Sequence, residues 1–212
     1  RSLGRLKARQ AIHPLTGALL RDPRAPVREE AARALGEIGD ERALEALKQA
    51  LGELPYEVRA GALAAMEKMG DEAVPLFLQA LDEDDKRTRT QAATALERNG
   101  YVSRLIERLA EDPGKTSGPS FRLLLKVART GVVESLIQAL SYPDLRVRVR
   151  ICQLLGEALS KSALDALSDV VRNDSEWAVR ARALEALIRI GDEQTQPLWL
   201  LHLREEEEEV RE

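Results

Sequence analysis

The 212-residue chain has one cysteine, two histidines, and so few rings that Phe, Trp and Tyr together make up 3% of it. The lone thiol, Cys152, forms no intrachain disulfide, and with only the distant His13 and His202 it makes no recognisable metal or nucleophile set. With aromatics scarce, the core falls to Ala, Leu, Val and Ile within a hydrophobic fraction of 44%, enough for one large domain or two small ones. That composition favours helices and argues against general disorder. No apolar run approaches the roughly 20 residues of a membrane span. The Arg-rich start also lacks the apolar stretch of a signal peptide. A reducing, cytoplasmic setting is expected, and the missing initial Met leads us to expect a segment of a longer protein.

A surplus of basic charge is missing too. Lys plus Arg is 32 against 36 for Asp plus Glu, and residues 205–212 hold six of the acids and one of the bases, leaving 31 basic against 30 acidic residues before them. A near-neutral body speaks against a nucleic-acid binder, although a local patch can sit inside a neutral total. Of the 32 basic residues 25 are Arg, a choice that suits fixed ion pairs. Catalytic signatures are absent as well: no Gly-rich phosphate loop, no nucleophile elbow, no paired Cys or His ligands, and carboxylates scattered at repeat spacing. We therefore expect no catalytic residues, no cofactor and no metal.

What is there is a repeat. Gly39, Gly70, Gly100, Gly131 and Gly191 follow one another at 31, 30, 31 and 60 residues, with Lys161 where the missing member falls. Twelve residues before each Gly stands Val27, Val58, Thr88, Pro119 or Val179, followed in most units by Arg: Arg28, Arg59, Arg89 and Arg180. Within one unit, Val27, Ala31, Ala34, Leu35 and Ile38 mark one face of a helix. Leu44, Leu47 and Leu51 mark a second helix after Gly39, whose left-handed backbone ends the first while Asp40 caps the next. Asp22 is the expected N-cap of the first helix, with Pro23 in its first turn.

The predicted fold is all-α: a right-handed α-solenoid of stacked antiparallel helical hairpins with a period of about 31 residues. We expect one domain over 1–212, with a partial repeat 1–21, repeats 22–52, 53–82, 83–111, 112–141, 142–172 and 173–204, and a partial repeat 205–212. Residues 1–20 read as the second helix of an earlier unit. An array cut at both ends exposes apolar surface, so self-association through uncapped ends is part of the expectation.

On these residues the chain resembles the HEAT-repeat family, in particular the short-repeat bacterial type also seen in phycobilin lyase subunits. The resemblance implies that an acid six residues before the repeated arginine joins it in a ladder linking successive units. Asp22/Arg28, Glu53/Arg59, Glu83/Arg89, Asp174/Arg180 and Glu205/Arg211 keep that spacing. The fourth unit departs, with Gly114 and Ser120 at these positions and a lengthened link, EDPGKTSGPS, that reads as a mobile surface loop. In the fifth, Tyr142 replaces the acid before Arg148 and the Gly turn becomes Ser160-Lys161. Both departures read either as repeat drift or as a tuned binding region.

Glu45, Gln49, Gln79, Glu107, Glu134, Gln138, Asp165 and Asp169 fall on one exposed face of the second helices. Stacked, they form a polar, acidic column, and the resemblance places such helices along a concave surface. This column is the candidate partner-binding site, repelling phosphate and favouring a basic or extended protein segment; its alternative is a plain solvated face. Arg146, Arg148 and Arg150 are two residues apart, so a helix sends Arg148 away from the other two and no single basic stripe results. Trp199 aligns with Leu47 and Phe77 and reads as core, whereas Trp177 aligns with Ala25 at an exposed helix start. Cys152 reads as a buried thiol. The expected function is a non-catalytic scaffold for protein–protein interaction. The alternatives are a subunit of a phycobilin-lyase-like enzyme and nucleic-acid binding through the arginine cluster.

Overall fold

A computed structural model describes residues 2–53, 55–111 and 118–191. The chain divides into two compact units, 1–101 and 102–212. Among the described residues every regular element is a helix. The first unit holds α1 (Ser2–Arg21), α2 (Ala25–Ile38), α3 (Leu44–Glu53), α4 (Tyr56–Met69), α5 (Val74–Ala80) and α6 (Lys86–Arg98). There α2 packs on α1 and α4, α3 on α4, and α6 on α4 and α5. The second unit holds α7 (Tyr101–Glu111, entering from the last residue of the first unit), α8 (Pro119–Arg129), α9 (Glu134–Gln138), α10 (Leu145–Glu157), α11 (Leu164–Asn173) and α12 (Trp177–Ile190). In it α10 packs on α8 and α12, and α11 on α12.

The hairpin rests on two local devices. Gly39 ends α2 at φ 62°, its N–H donating to the Leu35 carbonyl, and Asp40 accepts the Arg42 N–H at 3.1 Å to start the next turn. Gly70, Gly100, Gly131 and Gly191 hold the same left-handed sign at φ 68°, 72°, 93° and 77°. In the fifth unit the left-handed residue is Leu159, at φ 54°, rather than the expected Ser160-Lys161. There α10 closes early: Leu159 N–H donates to the Gly156 carbonyl and Ser160 N–H to the Leu155 carbonyl, a Schellman closure that fixes the left-handed residue at 159.

The start of α2 also differs from expectation. Asp22 accepts the Arg24 N–H at 2.9 Å, which holds residues 22–24 in a turn; Arg24 becomes the N-cap and Pro26, rather than Pro23, sits in the first helical turn.

The core is aliphatic. Leu35, Leu47 and Met66 in the first unit, and Leu124, Ile151, Leu154 and Leu155 in the second, are fully buried. Each such side chain contributes about 1.5–3 kcal/mol. On α2 the buried face is turned away from the expected apolar row: Ala31, Ala32, Leu35 and Gly36 are buried, while Val27, Ala34 and Ile38 are only half-buried. Gly36 lies so close to α4 that a Cβ there would stand 2.5 Å from the Ala65 Cα, and Gly156 repeats the arrangement against Ala186 at 2.8 Å.

Candidate functional site

The repeated arginine reaches back to the main chain that precedes its helix. Arg28 Nη1 donates to the Asp22 carbonyl at 2.7 Å, Arg89 Nη1 to those of Glu83 and Asp84 at 2.8 and 2.7 Å, and Arg180 Nη1 to those of Asp174 and Ser175 at 3.1 and 3.3 Å. The six-residue spacing therefore serves a carbonyl, which any residue supplies. Arg148 makes the same bonds to the carbonyls of Tyr142 and Pro143 at 2.9 and 3.2 Å, so losing the acid at 142 costs it nothing. The carboxylates act one repeat further on. Asp174 takes Arg148 as a two-toothed pair at 2.8 and 3.0 Å, with the two side chains only 12% and 8% exposed. Arg59 lies 3.8 Å from Asp85 in the same relation. The side chain of Glu53, and Glu205 with Arg211, lie outside the described residues.

All eight column residues stand exposed on the second helices: Glu45 and Gln49 on α3 and Gln79 on α5 in the first unit, then Glu107 on α7, Glu134 and Gln138 on α9, and Asp165 and Asp169 on α11 in the second. Gln138 Nε2 donates to Glu134 at 3.3 Å, and Arg172 lies a loose 3.8 Å from Asp169. Between α9 and α11 opens a cleft of about 600 Å³. Ile137, Leu140, Ala166 and Val170 supply apolar wall, while Tyr142, Asp169 and Asn173 supply polar edge. It forms where α9 gives way after Gln138 to a 3-10 turn, Ala139–Ser141, and the chain extends through Tyr142. Tyr142 in place of the acid was the sequence signal at this spot; the opening itself depends on the backbone.

The three arginines of the cluster each have partners within the protein and form no single basic stripe, although Arg146 stands 57% exposed. Arg146 donates through Nε and Nη2 to Asp144 at 3.0 and 2.8 Å, Arg148 is paired with Asp174, and Arg150 is 4% exposed with Nη1 bonded to the Leu109 carbonyl. The Arg146 guanidinium on Asp144 holds that carboxyl down to about 2, and Arg42 does the same for Asp40. Cys152 is fully buried and its thiol is pushed up to about 12 by that burial, so it is a packing residue. Trp177 opens α12 and is 41% exposed. Trp199, His202 and most of the link EDPGKTSGPS lie outside the described residues. No described helix is long and apolar enough to cross a membrane.

Helices that recur at a fixed period, joined by left-handed turns and tied in most units by one arginine, define an all-α helical-repeat protein of the solenoid class. The family model for HEAT repeats matches residues 1–67, 49–116 and 133–212, and the chain belongs to that family. It is 26% identical over 210 residues to deoxyhypusine hydroxylase-B of Oryza sativa subsp. japonica, covering 92% of this chain and 66% of that protein. It is 28% identical over 193 residues to deoxyhypusine hydroxylase of Candida albicans, covering 87% and 60%. The chain thus spans just under two thirds of the length of these curated relatives. Among solved structures it is similar to the complex of CpcE and CpcF of phycocyanin lyase from Nostoc sp. PCC7120, at 22% identity, 93% and 83% coverage and a TM-score of 0.40.

The two hydroxylases overturn the expectation of a non-catalytic scaffold. Relatives that match across most of this chain are enzymes, so a missing motif did not separate a repeat scaffold from a repeat enzyme.

Proposed function

We propose that this chain is the substrate-holding part of an enzyme of the kind its curated relatives represent, and that it holds a basic, extended polypeptide segment on the exposed face of its second helices. The observation that carries this lies in the second unit: Glu107, Glu134, Asp165 and Asp169 all reach solvent from its second helices and offer acceptors only. Side chains of that kind attract ammonium and guanidinium groups and repel phosphate. A helical-repeat array suits an extended partner because each unit adds one more contact of the same sort. The buried, unreactive Cys152 suits a reducing, cytoplasmic setting.

Hydroxylation needs oxygen activated by a metal or an organic cofactor, and a non-haem iron centre takes histidine and carboxylate ligands. The donor set does not fit such a centre: among the described residues no three His, Cys, Asp or Glu side chains converge, and His13 stands exposed on α1. No chemical step is therefore derived for the described residues, and the reading concerns the holding of substrate.

Fluorescence anisotropy with a labelled peptide of alternating Lys and Gly tests it. The expected result is saturable binding that weakens as salt is raised and falls further in Glu134→Lys/Asp165→Lys. Absence of binding at low salt, or binding indifferent to that double charge reversal, would overturn the reading.

A further inference from the structure

The cleft between α9 and α11 combines three features. Its walls are apolar and polar in about equal measure, its volume of about 600 Å³ falls within the usual range of about 300–1,000 Å³ for small-ligand sites, and its charged lining is two carboxylates against one guanidinium. That guanidinium, Arg148, is already committed: Nε and Nη2 lie on Asp174 at 2.8 and 3.0 Å, and Nη1 on the Tyr142 and Pro143 carbonyls. An anion entering the cleft finds little donor capacity left on that guanidinium. Asp174 is spent on the same pair, which leaves the Asp169 carboxylate, 72% exposed and held only by Arg172 at 3.8 Å, as the charge open to a ligand. Tyr142 and Asn173 stand on the same lining. The two helices that flank it carry further exposed charge of the same sign, Glu134 on α9 and Asp165 on α11.

We infer that this cleft is a pocket for the long cationic side chain, lysine or arginine, of a polypeptide: the aliphatic stem lies against Ile137, Ala166 and Val170, and the charged head meets Asp169 beside Tyr142 and Asn173. The inference rests on the reading that the second helices hold a basic segment, and it specifies where that segment is gripped. Lysine and arginine carry an apolar stem and a charged tip, which matches a cleft where a strip of Ile137, Ala166 and Val170 runs beside an acidic edge. A cation over the Tyr142 ring gains further attraction.

Nuclear magnetic resonance on the whole 212-residue chain tests it, with Nα-acetyl-lysine methylamide as probe and Nα-acetyl-norleucine methylamide as its uncharged equivalent. The lysine probe is expected to shift the signals of Tyr142 and Asn173 saturably and the norleucine probe to leave them unmoved. Asp169→Asn removes the charge from an exposed position without threatening the fold, and Ala166→Leu fills the cleft; each should weaken the lysine probe roughly ten-fold. Equal shifts from both probes, or shifts indifferent to both substitutions, would overturn the pocket. The Lys-Gly peptide separates the two readings. Peptide binding that ignores Asp169→Asn and Ala166→Leu refutes the pocket and leaves the second-helix surface standing. A lysine probe that enters the cleft while the peptide fails to bind leaves the pocket standing and refutes the surface.

Discussion

Replacing Gly36 by Ala measures how tightly the first helices of neighbouring units are pressed together. In an ordinary helix interior the change stabilises by about 0.8–1 kcal/mol, because Ala restricts the unfolded chain and favours helix. At Gly36 the new Cβ would lie 2.5, 2.7 and 2.8 Å from the Cα, Cβ and O of Ala65, whereas carbon atoms in contact prefer about 3.5–4.0 Å. Two of these three atoms are backbone, so no rotamer relieves the clash and α2 must move about 1 Å from α4. Overpacking of this kind costs about 1–3 kcal/mol. With the cost near its upper end, Gly36→Ala should destabilise by about 1–2 kcal/mol net.

The control lies in the same unit. Gly17, inside α1, has nothing within 4 Å of its ideal Cβ, so Gly17→Ala should gain about 0.8–1 kcal/mol. Thermal melts followed by circular dichroism should separate the two variants by about 5–10 °C. Gly61→Ala should side with the control, because its close neighbour at 3.1 Å is the Cγ of Glu29, on a flexible side chain. If Gly36→Ala melts as high as Gly17→Ala, the two helices do not approach as described and the packing argument fails.

Two more predictions concern charge. Asp174→Asn keeps a capping oxygen but removes the charge facing Arg148 in a pair whose side chains are 8% and 12% exposed, and urea unfolding should show a loss of about 3 kcal/mol. Asp22→Asn, against an Arg24 side chain 72% exposed, should lose far less; equal losses at the two sites would show that burial does not set the strength of these pairs. Asp144 titrates near 2 in the folded chain against 3.8 for the free side chain, because Arg146 bonds its charged form. A folded value below the unfolded one means stabilisation that is complete above 3.8 and lost as pH falls toward about 2. Asp144→Asn should therefore lower the melting temperature near neutral pH, with the gap to wild type closing across that window; a gap that stays constant would show that the charge is not its source.

The correction on catalysis has a physical root. A helical repeat is written by positions that face the core or the turn, and those positions look alike whether the remaining residues bind a partner or take part in a reaction. The acidic face was legible as a period of exposed Glu, Gln and Asp. The cleft was not, because it depends on α9 tightening into a 3-10 turn after Gln138 and on where Tyr142 then carries the chain.

Local chemistry was readable wherever it runs through neighbours in the chain. The positions of the helices, the left-handed turn at Gly39, the Asp40 cap and the aliphatic core follow from spacing and residue type, because a turn or a 3.6-residue stripe is settled within a few residues. Tertiary structure decided what depends on distance across the fold. It turned the arginine ladder toward backbone carbonyls, paired Arg148, which has Tyr142 six residues before it, with an acid 26 residues further on, and buried Arg150 against the Leu109 carbonyl 41 residues distant. It also moved the left-handed turn of the fifth unit to Leu159. A guanidinium reaches several acceptors on neighbouring units equally well in sequence, and only the packed backbone determines which of them lies within 3 Å.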